Sequence, residues 1–167
     1  MTMSKRIAVT AGTFDPVTLG HLDVIKRAAS IFDEVVVGIF ENAAKTKLFS
    51  LDTRYRALCK AVEELPNVRV IIGEGFLAEF AASIGACALV KGARNGTDFD
   101  YEKVMADYNK LNFGVETLLL VSDTRFDTLS STLVRDKLAN GDDVRPYLPN
   151  GVAEILQAEI SARRENT

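Results

Sequence analysis

The sequence predicts an α/β protein built on a doubly wound, five-stranded parallel sheet with helices on both faces. Three observations predict it. Short apolar runs alternate with longer amphipathic segments along the whole chain. Most of the runs read as continuous apolar stretches rather than alternating ones, as in strands covered on both faces. Polar segments follow the runs, at Gly12–His21, Glu41–Lys47, Lys91–Arg94 and Ser122–Ser131. Open parallel sheets bind ligands beyond the carboxyl ends of their strands.

Taken in order, Arg6–Ala11 is a first strand. Gly20–Phe32 is a helix, with Leu22, Val24, Ile25, Ala28, Ala29, Ile31 and Phe32 toward one side. Glu34–Phe40 holds Val35-Val36-Val37 and is a second strand. Ser50 is an N-cap for a helix from Leu51 to about Glu64, stopped by Pro66 and Asn67. Val68–Ile72 is the third strand, Gly75–Ile84 a short helix closed by Gly85, and Ala86–Val90 the fourth strand. Asp98–Asn112 is a longer helix ended by Gly114. Glu116–Val121 is the fifth strand. Ser130 starts a helix that reaches about Asn140-Gly141, and a last helix spans about Val152–Ala162, after Pro146 and Pro149. No repeat, low-complexity stretch or linker interrupts the series. Residues 1–167 therefore read as one Rossmann-like domain, with a tail from about Arg163 expected to be flexible.

Composition narrows the function classes. The 167 residues are 47% hydrophobic and 26% charged, as in an ordinary folded protein. A net charge of −3 weighs against a nucleic-acid binder. The two cysteines, Cys59 and Cys87, have no CxxC spacing and read as free thiols of a reducing cytoplasm. No signal peptide and no membrane-length apolar stretch is expected.

The only histidine, His21, closes the run Thr10-Ala11-Gly12-Thr13-Phe14-Asp15-Pro16-Val17-Thr18-Leu19-Gly20-His21. A strand that turns through glycines into a helix presents unpartnered N–H groups and a favourable dipole to anions. Phosphate chemistry follows as the expectation. The sequence has neither a G-x-x-x-x-G-K-[ST] loop nor a G-x-G-x-x-G turn, which argues against kinases and dehydrogenases.

Thr18-Leu19-Gly20-His21 resembles the [HT]-x-G-H signature of the nucleotidyltransferase superfamily. The longer run from Gly12 resembles one branch, the bacterial phosphopantetheine adenylyltransferases. The likeness continues through Asn42-Ala43-Ala44-Lys45, Leu48-Phe49-Ser50, Lys91-Gly92-Ala93-Arg94, Asp98-Phe99-Asp100-Tyr101-Glu102 and Leu129-Ser130-Ser131-Thr132. It implies transfer of the adenylyl group of ATP to 4′-phosphopantetheine, giving dephospho-coenzyme A and pyrophosphate. It also implies Mg²⁺ bound mainly through ATP phosphates, a homohexamer, and feedback inhibition by coenzyme A. The acceptor phosphate is largely ionised near pH 7, since a phosphomonoester has a second pKa of about 6. The task is therefore positioning and electrostatics, with no strong base needed.

The resemblance also implies roles for individual residues. His21 would donate a hydrogen bond to the α-phosphate, and Lys45 would bridge the two reacting phosphates. Thr13 would orient the nucleophile. Gly20 would allow close approach of the backbone, and Thr18 stands where many relatives have a first histidine. Asp15 with Pro16 would shape the turn, and Lys47 would be a surface lysine. Arg94 would reach the β- and γ-phosphates, and Glu102 would organise the ATP side. Further ATP contacts would come from Phe14, Gly92, Ala93, Phe126, Asp127, Thr128, Leu129, Ser130, Ser131 and Thr132. Leu77 and Lys91 would join Thr13 and Lys45 on the phosphopantetheine side. Lys91 departs from the usual arginine, replacing a planar fork with a point charge. Two other readings compete: a sibling enzyme with another phosphorylated acceptor such as nicotinamide mononucleotide, and a non-catalytic nucleotide-binding module.

Overall fold

The computed structural model describes residues 4–40 and 46–165. The five strands are β1 (Ile7–Gly12), β2 (Glu34–Phe40), β3 (Val68–Gly73), β4 (Ala88–Ala93) and β5 (Glu116–Val121). They form one parallel sheet in the order β3-β2-β1-β4-β5. The helices are α1 (Leu19–Ile31), α2 (Leu51–Val62), α3 (Leu77–Ser83), α4 (Gly96–Phe113), α5 (Ser131–Asn140) and α6 (Val152–Glu165).

Alternate strand residues face opposite sides, and the register lines them up in rows. Ala8 pairs with Val35 and Ala88, and Val9 pairs with Val36 and Leu89. The first row packs with Val37, Ile39 and Val90 against Leu22, Ile25, Leu58, Val134 and Leu156. Thus α1, α2, α5 and α6 cover one face. The second row packs against Ala78 and Ala81 of α3 and Phe113 of α4, which cover the other. Each fully buried Leu or Ile, such as Ile25, Ile39, Leu58 and Leu89, adds about 2 kcal/mol through burial.

Every predicted strand and helix is present, and the departures have local causes. Strand β4 continues through Lys91, Gly92 and Ala93, so only Arg94 of that polar segment lies past the strand. Pairing of these residues with Leu119, Leu120 and Val121 prolongs it, although lysine and glycine break the apolar run. Helix α3 begins at Leu77, because Gly75 adopts a left-handed φ of 73° and cannot start it. Helix α4 begins two residues early, at Gly96, because the Asn95 side chain accepts from the Asp98 N–H as its cap. Helix α6 continues through Arg163, Arg164 and Glu165 instead of stopping at Ala162, and an Arg163–Glu159 ion pair spans its last turn.

The order changes direction at β1: β2 lies on one side and β4 on the other. Strands β1 and β2 share six register pairs, whereas β1 and β4 share two, Ala8↔Ala88 and Val9↔Leu89. The sheet opens beyond Val9 and Leu89, at the switch point where such folds bind ligands.

Candidate active site

A cleft of about 570 Å³ occupies that opening. Its floor includes Thr10, Ala11, Lys91 and Gly92 at the ends of β1 and β4. Its walls include Phe14, Thr18, Gly20 and His21 from the β1–α1 turn, and Arg94, Asp98, Tyr101 and Glu102 at the start of α4. Phe126, Leu129, Ser130 and Ser131 close it beside α5. Helix α1 lies close to β4 because residue 92 has no side chain. A Cβ on Gly92 would stand 2.9 Å from Val24 Cγ2.

His21 sits at N3 of α1 and closes a capping box with Thr18. The Thr18 backbone N–H donates to His21 Nδ1 at 3.0 Å, and Thr18 Oγ1 lies 3.0 Å from the same nitrogen. Nδ1 is therefore an acceptor, which places the proton of the neutral ring on Nε2. The Phe14 ring meets the imidazole edge-on at a centroid distance of 5.1 Å. Burial, with the nearby Arg94 cation as the smaller cause, lowers the His21 pKa to about 4. At neutral pH the ring is an uncharged Nε2–H donor, held in place through its other nitrogen.

Arg94 follows β4. Its Nε donates to Asp98 at 2.9 Å, and its Nη1 donates to the Leu129 carbonyl at 3.4 Å. The guanidinium lowers the Asp98 pKa, chiefly through the side-chain hydrogen bond. The sequence assigned Asp98 no role in the site; its spacing of four from Arg94 was the signal that pairs them. Ser130 is the N-cap of α5, accepting from Leu133 N–H at 3.1 Å, and Ser131 Oγ donates to the Pro16 carbonyl at 2.8 Å. These bonds set the α5 amino terminus against the β1–α1 turn. Arg135 adds to that joint by donating to the Asp15 carbonyl at 2.7 Å and to Thr132 Oγ1 at 3.0 Å.

Asp15 is buried and shapes the turn. Its carboxylate accepts from the Leu48 and Phe49 N–H groups at 2.8 and 2.9 Å. Phe14, His21, Lys91, Gly92, Arg94, Glu102, Phe126, Leu129, Ser130 and Ser131 line one cleft. Thr13 lies at the turn behind Phe14, and Ala93 is buried at the end of β4. Asp127, Thr128 and Thr132 are exposed beside the α5 start. Leu77 packs with the α3-side core, and Lys45 lies outside the described residues. Thr10, Asp23, Val24, Thr97, Tyr101 and Ser122 also line the cleft without having been singled out as site residues. Asp23, four residues before Arg27 on α1, offered only an ordinary ion-pair spacing. Among the described residues, no three His, Cys, Asp or Glu side chains converge as a metal cage.

The cytidylyltransferase-like family matches residues 9–137, most of the chain, which places the protein among the nucleotidyltransferases. A phosphopantetheine adenylyltransferase of Cutibacterium acnes is 45% identical over 149 residues, 89% of this chain and 95% of its own length. One from Lachnoclostridium phytofermentans is 38% identical over 160 residues, 95% of this chain and 98% of its own length. The chain belongs to the phosphopantetheine adenylyltransferase family. A solved structure described as a putative nicotinate-nucleotide adenylyltransferase from Vibrio parahaemolyticus shares the fold. It has a TM-score of 0.68 at 18% identity, covering 93% of this chain and 94% of that one.

Proposed function

We propose that this chain transfers the adenylyl group of ATP to 4′-phosphopantetheine, releasing pyrophosphate and forming dephospho-coenzyme A. The relatives support the acceptor, and the observation that carries the transfer step is the state of His21: neutral, oriented by Thr18, and in the cleft with Nε2 as its donor. Such a group suits charge developing on an α-phosphate and does not suit proton abstraction. The acceptor phosphate arrives ionised and attacks the α-phosphorus in line, with pyrophosphate leaving on the far side. Arg94 and the α5 amino terminus would hold the leaving phosphates. Glu102, Phe126 and the run Asp127–Thr132 would frame the nucleotide. Lys91, Thr13, Lys45 and Leu77 would take the acceptor. We read residues 1–167 as one nucleotidyltransferase domain, acting in the cytoplasm, where Cys59 and Cys87 stay free.

Mg²⁺ would enter on the ATP phosphates and neutralise their charge, since it usually keeps several waters and takes few protein ligands. Coenzyme A shares the pantetheine arm and would compete for the acceptor end. Inhibition that persists at saturating phosphopantetheine would contradict this. A homohexamer is supported by α4, none of whose residues is buried. Tyr101, Val104, Met105, Tyr108 and Leu111 form an exposed apolar stripe along it.

The direct test is pyrophosphate release from ATP with Mg²⁺ and one acceptor at a time. Turnover is expected with 4′-phosphopantetheine. Turnover of nicotinamide mononucleotide alone would overturn the assignment.

A further inference from the structure

Arg54 is 2% exposed, yet it lies on α2 in the apolar series Leu51, Leu58 and Val62. Burying a guanidinium is costly unless its donors are satisfied. Here its Nε donates to the Phe49 carbonyl at 3.2 Å, and its Nη1 donates to the Thr13 carbonyl at 3.0 Å. Asp15, 3% exposed, makes the reciprocal link: its carboxylate takes the N–H groups of Leu48 and Phe49. Two buried charged side chains therefore bind the same two stretches of backbone from opposite directions. One stretch is the β1–α1 turn, from Thr13 to Asp15. The other is the Leu48–Phe49 segment before α2.

The turn needs external support. Phe14 holds φ at 49°, an uncommon conformation for a bulky side chain. Thr13 is the residue just before it, and Phe14 in turn packs on the His21 ring. Fixing the Thr13 carbonyl fixes the peptide plane that leads into this turn.

We propose that Arg54 is a positioning residue for the adenylyl transfer: it acts through Thr13, setting that residue where the acceptor phosphate is oriented. This rests on the acceptor role given to Thr13 above. Lysine keeps the charge but lacks the planar fork that reaches two carbonyls at once.

The experiment compares R54K, R54M and T13V, each alone, and R54K with T13V together. Folding is checked by circular dichroism, ATP affinity by calorimetry without acceptor, and turnover at saturating and limiting phosphopantetheine. R54K is expected to lower kcat/KM for phosphopantetheine at least tenfold while ATP affinity changes less than threefold. R54M is expected to be worse. In the T13V background, R54K should cost less than twofold more, because the residue it acts through has lost its contact. Native-like kcat/KM in a folded R54K overturns the proposal, as does an undiminished R54K effect beside T13V. If R54M does not fold, R54K decides by the same criteria. If T13V alone is fully active, the acceptor role of Thr13 fails and the proposal with it. A native enzyme that does not use phosphopantetheine would instead overturn the proposed function.

Discussion

The two nitrogens of His21 are divided: Thr18 holds one and leaves the other as a donor. Nδ1 is committed to the Thr18 N–H, so the ring acts as a donor in one fixed tautomer. Replacing His21 by alanine should lower kcat by at least about 10²-fold, as for other donors to a developing oxyanion, with little change in ATP affinity. The pH dependence follows from the depressed pKa. Folded His21 ionises near 4, whereas the unfolded residue ionises near its ordinary 6.5. Above pH 6.5 the ring is neutral in both states and its contribution to stability is full. As pH falls from 6.5 through 4, the unfolded chain takes the proton first, and stability is lost. Urea unfolding at pH 7 and pH 4.5 should show a larger loss for the native chain than for His21→Gln. The kcat profile should show no His21 inflection between pH 5 and 8; one near 6.5 that disappears in His21→Ala would contradict this account. Lys91, a cleft residue with a single ammonium, should govern the acceptor end. Lys91→Ala is expected to raise KM for phosphopantetheine roughly tenfold, the scale of one charge-assisted hydrogen bond, and to leave KM for ATP unchanged.

At the scale of elements, the strands were legible because most of their apolar runs are continuous, and the site because its polar residues cluster at the strand ends. What stayed hidden depended on long-range contact. Lys91 and Gly92 look like loop residues until β5 pairs with them. Arg54 looks like the polar side of α2, although its spacing from Leu51 and Leu58 puts it on the apolar stripe; only the carbonyls it meets explain its burial. Glu159 gave no signal, being one helix acid among others. In the fold it accepts from the Ser50 N–H at 3.2 Å and so ties α6 to the N-cap residue of α2. Glu159→Ala should cost about 1–2 kcal/mol, the loss of a hydrogen bond to a charged group, read as a lower Tm. Gly92→Ala acts differently. Its Cβ would press on Val24, moving α1 away from β4 at the cleft floor. Overpacking of this kind costs about 1–3 kcal/mol, and KM for ATP should rise severalfold in steady-state assays.

In the molecule as a whole, among the described residues, α4 is the one α-helix with no buried residue, although Phe113 at its end packs on the core. Helix α4 supplies Asp98, Tyr101 and Glu102 to the cleft, while Val104, Met105, Tyr108 and Leu111 further along it are exposed. Covering these side chains with further copies of the chain would tie assembly to nucleotide binding. Leu111→Glu, at a position 86% exposed in the single chain, should therefore reduce the native mass measured by ultracentrifugation and weaken ATP binding together. The short contact between β1 and β4 has a consequence of another kind. Two register pairs join the β3-β2-β1 part of the sheet to β4-β5, and the groups proposed for catalysis are divided across that seam. His21 stands on one side and Arg94 on the other. A nucleotide held by both is then a cross-link between two sections of one sheet. Substrate so held would take the place of the strand pairing that the seam lacks, at the join where the sheet has its fewest register pairs.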